Sequence, residues 1–226
     1  MKHIIWLFFL CGGLNGLSSQ ETEMIKELNS FSELKVYDGL SVNLIKSSEN
    51  KAIITGENTS KVAIVNKDGV LKIRMQIGKI FSGYKTFVDV YYKDRLVVID
   101  VNEDARIKSD EIIEQDVLEL KAQEGGELII AAEVEQMLIK SVTGGVVKTK
   151  GFSDVQDVQI NTGGRYEGKN FKTKFSTINV NAGSRAEIYA SKYVKAAVKA
   201  GGEVQVYGNP EKLEEKTVFG GIIKRM

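Results

Sequence analysis

The chain has 226 residues, a net charge of +1, 22 glycines, and one residue each of Pro, Cys, His and Trp. That length is ample for one sizeable core. The 31 Lys plus Arg are interspersed with 30 Asp plus Glu and form no basic stripe, so neither nucleic acid nor an anionic membrane is an expected partner.

Met1 to Ser19 reads as a secretory signal: Lys2 and His3 are a short basic start, Ile4 to Leu10 an apolar stretch too short to span a bilayer, and cleavage is expected near Ser19–Gln20. Cys11 raises the alternative of a lipid anchor, but Leu10 stands where a lipobox needs Gly or Ala. His3, Cys11 and Trp6 are the only residues of their kind, so the exported chain has neither imidazole nor thiol. Ser-His-Asp and Cys-His catalysis, disulfides, and His- or Cys-ligated metal sites are thereby excluded from it. No later stretch is a transmembrane candidate, and the expected location is the periplasm, the outer membrane surface or the medium.

Residues 20–30 are expected to be a mobile lead-in, and 31–226 a single β domain. Leu34, Val36, Leu40, Val42 and Leu44 alternate across the turn Tyr37-Asp38-Gly39, which predicts strands with one buried face. Val62–Val65 and Val70–Ile73 flank Asn66-Lys67-Asp68-Gly69, a hairpin signal. Strands are also expected at Val88–Tyr92 and Leu96–Val101.

From Leu118 a unit recurs, marked by Gly125-Gly126, Gly144-Gly145, Gly163-Gly164, Gly183-Ser184, Gly201-Gly202 and Gly220-Gly221, at steps of 19, 19, 20, 18 and 19 residues. Asp104-Ala105-Arg106-Ile107 reads as a decayed copy. Five and three residues before the first five markers stand ten residues, nine of them apolar, and an apolar residue follows each marker by three. Each unit is therefore strand, small-residue corner, strand and loop. A unit of this size cannot bury its own face, so stacking on like units is required. The fold class expected is all-β: a single-stranded, right-handed parallel β-helix with coils of about 19 residues rising ~4.8 Å each, less regular towards its start. The marker glycines are read as turn chemistry. Asn209-Pro210 predicts a short helical turn over 209–216. The last coil must be capped or paired, which allows homo-oligomers through coil ends.

Phe31-x-x-Leu34-x-Val36-x-x-Gly39-x-x-Val42-x-Leu44, Asp68-Gly69-x-Leu71-x-Ile73, Leu96-x-x-Ile99-x-Val101-x-x-Asp104-Ala105 and the Gly-Gly ladder together resemble the secreted bacterial family of auto-transporter adhesin head, or GIN, domains, common in Bacteroidetes. The resemblance implies a right-handed β-helix, export and an adhesive role. It carries over no site residues, and no translocator barrel accompanies it here.

The functional reading is an exported, non-catalytic binding or structural module whose partner is a glycan or an envelope protein. The competing reading is a polysaccharide lyase or hydrolase that uses carboxylates, with or without Ca²⁺. The densest acidic run is Asp100, Glu103, Asp104, Asp110, Glu111, Glu114, Asp116 and Glu119; its first three are the candidate metal ligands, although no Ca²⁺-loop spacing is present. No cofactor is expected, since the span Gly78–Gly83 lacks the Lys-Ser/Thr of a phosphate loop. The run Phe81–Phe87 could stack on sugars. Tyr189 and Tyr207 each lie six residues after a marker and should stack on an outward face as a ligand platform.

Overall fold

A computed structural model describes residues 23–226; the leader, with its cleavage site and Cys11, lies outside the described residues. Seventeen strands form one continuous hydrogen-bonded sheet that coils on itself, and no α-helix occurs among the described residues. The first eight are short: β1 (Met24–Glu27), β2 (Glu33–Val36), β3 (Ser41–Lys46), β4 (Lys51–Gly56), β5 (Val62–Lys67), β6 (Val70–Met75), β7 (Thr86–Tyr92) and β8 (Val98–Val101). Four long ones follow: β9 (Arg106–Ala122), β10 (Glu127–Ser141), β11 (Val146–Ile160) and β12 (Arg165–Val180). The last are β13 (Arg185–Tyr189), β14 (Tyr193–Lys199), β15 (Glu203–Tyr207), β16 (Lys212–Val218) and β17 (Ile222–Arg225).

The stack is a parallel β-solenoid. Ile107, Leu128, Val147, Tyr166, Ala186, Val204 and Ile223 lie in register as seven rungs of one column. The unequal coil lengths are absorbed where the strands bend. Asp110 and Glu111 are extra residues where β9 shifts register against β10, and β12 takes one extra residue beside Lys150. A second bend follows Val134, where Glu135 and Gln136 are both exposed and the inward alternation restarts at Met137.

Each corner joins two residues of positive φ, for example Thr143 (49°) with Gly144 (75°) and Thr162 (52°) with Gly163 (71°). The second marker residue does something different. Its φ is not positive, but a Cβ at Gly126, Gly145, Gly164 or Gly221 would stand 2.7, 2.2, 2.6 or 2.3 Å from a carbonyl oxygen of the preceding coil. The first glycine thus relieves φ strain and the second permits close approach. Ser184 takes the second place in one coil, and its hydroxyl is buried without a hydrogen-bond partner among the described residues.

The core is a set of apolar columns running along the axis. One runs Leu71–Leu34–Ile99–Leu120–Ile139–Val158–Ile178–Ala196, each residue at most 2% exposed. Its order departs from chain order at the start: β2 and β3 are stacked between the β6–β7 coil and the β8–β9 coil. The β5–β6 hairpin forms as expected, with Asp68 and Gly69 both at positive φ, the two-residue turn that suits strand twist.

Two expectations fail. The lead-in is not simply loose: β1 adds antiparallel to β4 and covers its open edge, and Lys26 Nζ donates to the Ile64 carbonyl at 2.9 Å. The helical turn after Asn209 does not form. Asn209 adopts φ 46°, unlike the extended Ncap position, and Lys212–Val218 pairs along its whole length with β14. Seven consecutive ladder positions outweigh one local capping signal.

At the last coil the columns change character. Glu215 registers beneath Ala196 and Arg225 beneath Val206, both inward positions, and the two charged groups meet at 3.4 Å in the open end of the coil. Inward-pointing charge is a known way to blunt a sheet edge.

The two glycines of a marker should respond differently to a methyl group. Gly144→Ala meets open space and should cost about 1–2 kcal/mol, the penalty of a left-handed non-glycine residue. Gly145→Ala drives a Cβ into the Ala122 carbonyl and should cost about 3 kcal/mol. Urea denaturation midpoints of the two variants should rank in that order.

Candidate functional site

Register turns outward side chains into axial columns. One runs Arg106–Glu127–Val146–Arg165–Arg185–Glu203–Ile222. Its neighbour, two residues further along each strand, runs Lys108–Ile129–Lys148–Glu167–Glu187–Gln205–Lys224. At the bend beyond them, where β9 and β12 carry their extra residues, lie Asp110, Ala131, Lys150 and Lys169. The result is a groove of about 680 Å³ that follows the axis across six coils, from Lys108 to Gln205.

Charge in this groove is mostly matched. Lys148 meets Glu167 (3.7 Å) within it and Glu127 (3.1 Å) at its margin, where Arg106 also meets Glu127 at 2.8 Å. Lys108 holds Asp110 at 2.7 Å, and Arg165 reaches Glu167 at 3.9 Å. Hydrogen bonds from Lys224 and Gln205 hold the Glu203 carboxyl below its ordinary range, which suits a fixed countercharge and not a proton donor. Two like pairs break the matching: Arg165 registers with Arg185, and Glu167 with Glu187. Like charges side by side on adjacent strands cost stability.

Beneath the groove the lumen is polar. The Tyr166 hydroxyl lies 2.9 Å from Thr149 Oγ1 and donates to Gln156 Oε1 at 3.2 Å. Gln156 Nε2 donates onward to Thr173 Oγ1 (3.1 Å) and to the Tyr189 carbonyl (3.2 Å). Full burial raises the Tyr166 phenol well above its ordinary pKa, so it stays protonated and structural. Gly168 makes the room, since a Cβ there would stand 2.2 Å from Tyr166 Cζ.

This columnar solenoid matches, over residues 30–210, the family described as "Putative auto-transporter adhesin, head GIN domain". The chain belongs to that family. Solved structures resemble this GIN domain closely in fold and little in sequence. A protein described as a putative adhesin from Bacteroides fragilis aligns with TM-score 0.84 at 16% identity, covering 92% of this chain and 98% of that one. One described likewise from Parabacteroides distasonis gives 0.70 at 17%, with the same coverages. A further Parabacteroides distasonis protein, described as a putative lipid binding protein, gives 0.67 at 12%, again covering 92% and 98%. No curated protein matches. One fold thus carries different descriptions, and at these identities the likeness speaks for the fold alone.

Tyr189 and Tyr207 do register with each other, half-buried, one outward position beyond Glu187 and Gln205. Tyr207 Oη donates to Gln205 Oε1 at 3.1 Å, and Gly208 packs so close to the Tyr189 ring that a Cβ there would stand 2.8 Å from Cε1. They border the groove at its last two coils.

The candidate metal ligands are drawn to separate partners. Asp100 is buried and accepts from Asn102 (3.1 Å) and Gln123 (3.2 Å). Glu103 leans on Asp38, and Asp104 accepts the Tyr84 hydroxyl at 3.2 Å. Among the described residues no three His, Cys, Asp or Glu are grouped to hold a metal. Further along the acidic run, Asp116 pairs with Arg95 and Glu119 with Lys121, while Glu111 accepts the Lys46 amide. In the aromatic run, Phe81, Tyr84 and Phe87 are each more than half exposed. Their loop is tied down by the Asp38 carboxylate, which accepts the amides of Met75 (2.9 Å) and Phe81 (3.2 Å). Asp38 went unnoticed in the sequence, where Tyr-Asp-Gly signalled only a turn.

Tyr166→Phe leaves Thr149 and Gln156 short of a buried partner and should destabilise by about 1–3 kcal/mol, read from the denaturation midpoint. Glu103 gives a pH signature. Burial first, then the Asp38 charge, raise its folded pKa above the unfolded value. Its favourable contribution is therefore complete below the ordinary Glu pKa and lost as pH rises through the raised one. Glu103→Gln should melt higher than wild type at about pH 7 and lose that advantage near about pH 4, as measured by thermal scans.

Proposed function

We propose that this GIN domain is an exported, adhesin-like module that holds a surface glycan or envelope protein along its axial groove and performs no chemistry on it. One observation carries the reading: a groove crosses six coils, three of its four carboxylates, Asp110, Glu167 and Glu203, are each tied to a cation, and the fourth, Glu187, lies in register with the ion-paired Glu167. A glycosidase needs the reverse, a carboxyl held protonated opposite a second one. A long, open, half-polar groove fits an extended partner that is gripped at many points. The family's adhesin description and the signal-like first 19 residues agree with a place outside the inner membrane.

The test is retention. Beads carrying the purified protein should capture envelope fragments or intact cells saturably, and Tyr189→Ala with Tyr207→Ala should weaken capture several-fold at a temperature where circular dichroism shows the variant still folded. Assays for reducing and unsaturated ends in the same tubes should stay at background. Release of such ends would make the protein an enzyme and end this reading.

A further inference from the structure

The ion pairs of the groove leave a residue of unmatched charge. Lys150, Lys169 and Arg185 line it, yet none has a carboxylate within ion-pair distance among the described residues, where the groove's paired cations are Lys108, Lys148 and Arg165. Lys150 and Lys169 come from consecutive coils and sit on the bend side. Arg185 comes from the next coil and sits on the corner side, in register with Arg165. Three coils place these cations within ~10 Å of one another along the axis, on both walls. Between them runs the middle column, with Glu167 and Glu187 in register; Glu187 too lacks a cation within ion-pair distance among the described residues.

We propose that the groove binds an acidic polysaccharide, its carboxylate or sulfate groups seated on Lys150, Lys169 and Arg185 and its hydroxyls donating to Glu187 and Gln205. The inference rests on the binding-module reading and names its ligand class. The argument is charge spacing. Cations on the walls call for an anion, but carboxylates along the floor repel a chain that is charged at every step, as nucleic acid is. A polymer with one acid per one or two sugars avoids the conflict: acids meet the walls, while hydroxyls meet the floor acceptors. The same ligand accounts for the costly Arg165–Arg185 neighbourhood, because an anion between two guanidiniums removes their repulsion.

The experiment is affinity electrophoresis and calorimetry of the purified protein with polygalacturonate and with a sulfated glycan, against neutral dextran of equal length. One of the acidic polymers should bind and dextran should not. Lys150→Gln, Lys169→Gln and Arg185→Gln together should weaken binding at least about tenfold. Raising salt from about 50 to about 500 mM should weaken it further. Lys140→Gln with Lys199→Gln, exposed cations away from the groove, should leave affinity unchanged. Equal binding of dextran, an undiminished triple variant, or an equal loss in the Lys140/Lys199 variant overturns the proposal. If every acidic polymer fails while the beads still capture envelope material, this inference falls and the binding-module reading stands. If capture fails as well, both fall.

Discussion

The corner amides carry this structure. At each of the first five markers the amide of the first glycine donates along the axis to the next coil: Gly125 to Thr143 at 3.2 Å, Gly144 to Thr162 at 3.1 Å, Gly163 to Ala182 at 3.1 Å, Gly183 to Ala200 and Gly201 to Phe219 at 3.0 Å. Only a corner of two left-handed residues points that amide along the axis, and residues such as Thr143 and Thr162 accept an unfavourable φ to provide it. A coil shifted by one position would lose this bond, and its core column would face solvent. The corner ladder therefore sets the register, and the register creates both the apolar columns within and the charged columns without.

The groove is a by-product of that order, shaped by the places where it slips. Where β9 and β12 carry extra residues, the ladder shifts register, and the exposed Asp110, Lys150 and Lys169 found there line one side of the groove. The same region of the lumen is filled by Tyr166, Gln156, Thr149 and Thr173 in place of aliphatic groups. A bonded polar cluster fixes side-chain positions more narrowly than an aliphatic one of equal volume. The floor under the groove is in this way held stiff.

The repeat was legible because two independent signals agreed, period-two alternation and glycines at near-constant spacing. That sufficed to stack Tyr189 on Tyr207, since each lies six residues after its own marker, Gly183 and Gly201. It did not reveal Thr149, Gln156 or Thr173 as interior: Thr149 follows Val147 by two and Gln156 precedes Val158 by two, so both hold inward positions, but polar side chains there do not register as part of an apolar alternation. Nor did it reveal the order 71–34–99 in the core column: strands of four to six residues carry too little pattern to name a non-local partner. The adjacency of Asp100, Glu103 and Asp104 misled for a related reason. Glu103 and Asp104 are themselves a left-handed corner, with φ of 53° and 56°, and a corner sends neighbouring side chains apart. Asn209-Pro210 carried a sound local signal that ladder pairing overrode.

The inward pair Glu215–Arg225 bears on how such a stack could grow. Both groups still reach water through the open end of the coil, with side chains 41% and 68% exposed. Any coil laid over them, whether a spliced repeat or the edge of a second molecule, would dehydrate a carboxylate and a guanidinium at a cost of several kcal/mol per ion before new backbone bonds formed. The barrier to elongation on that side is thus a hydration barrier, independent of how many strand amides are free. An engineer lengthening the solenoid should insert repeats ahead of Lys212, where the columns are still apolar, and leave the charged coil as the outermost layer.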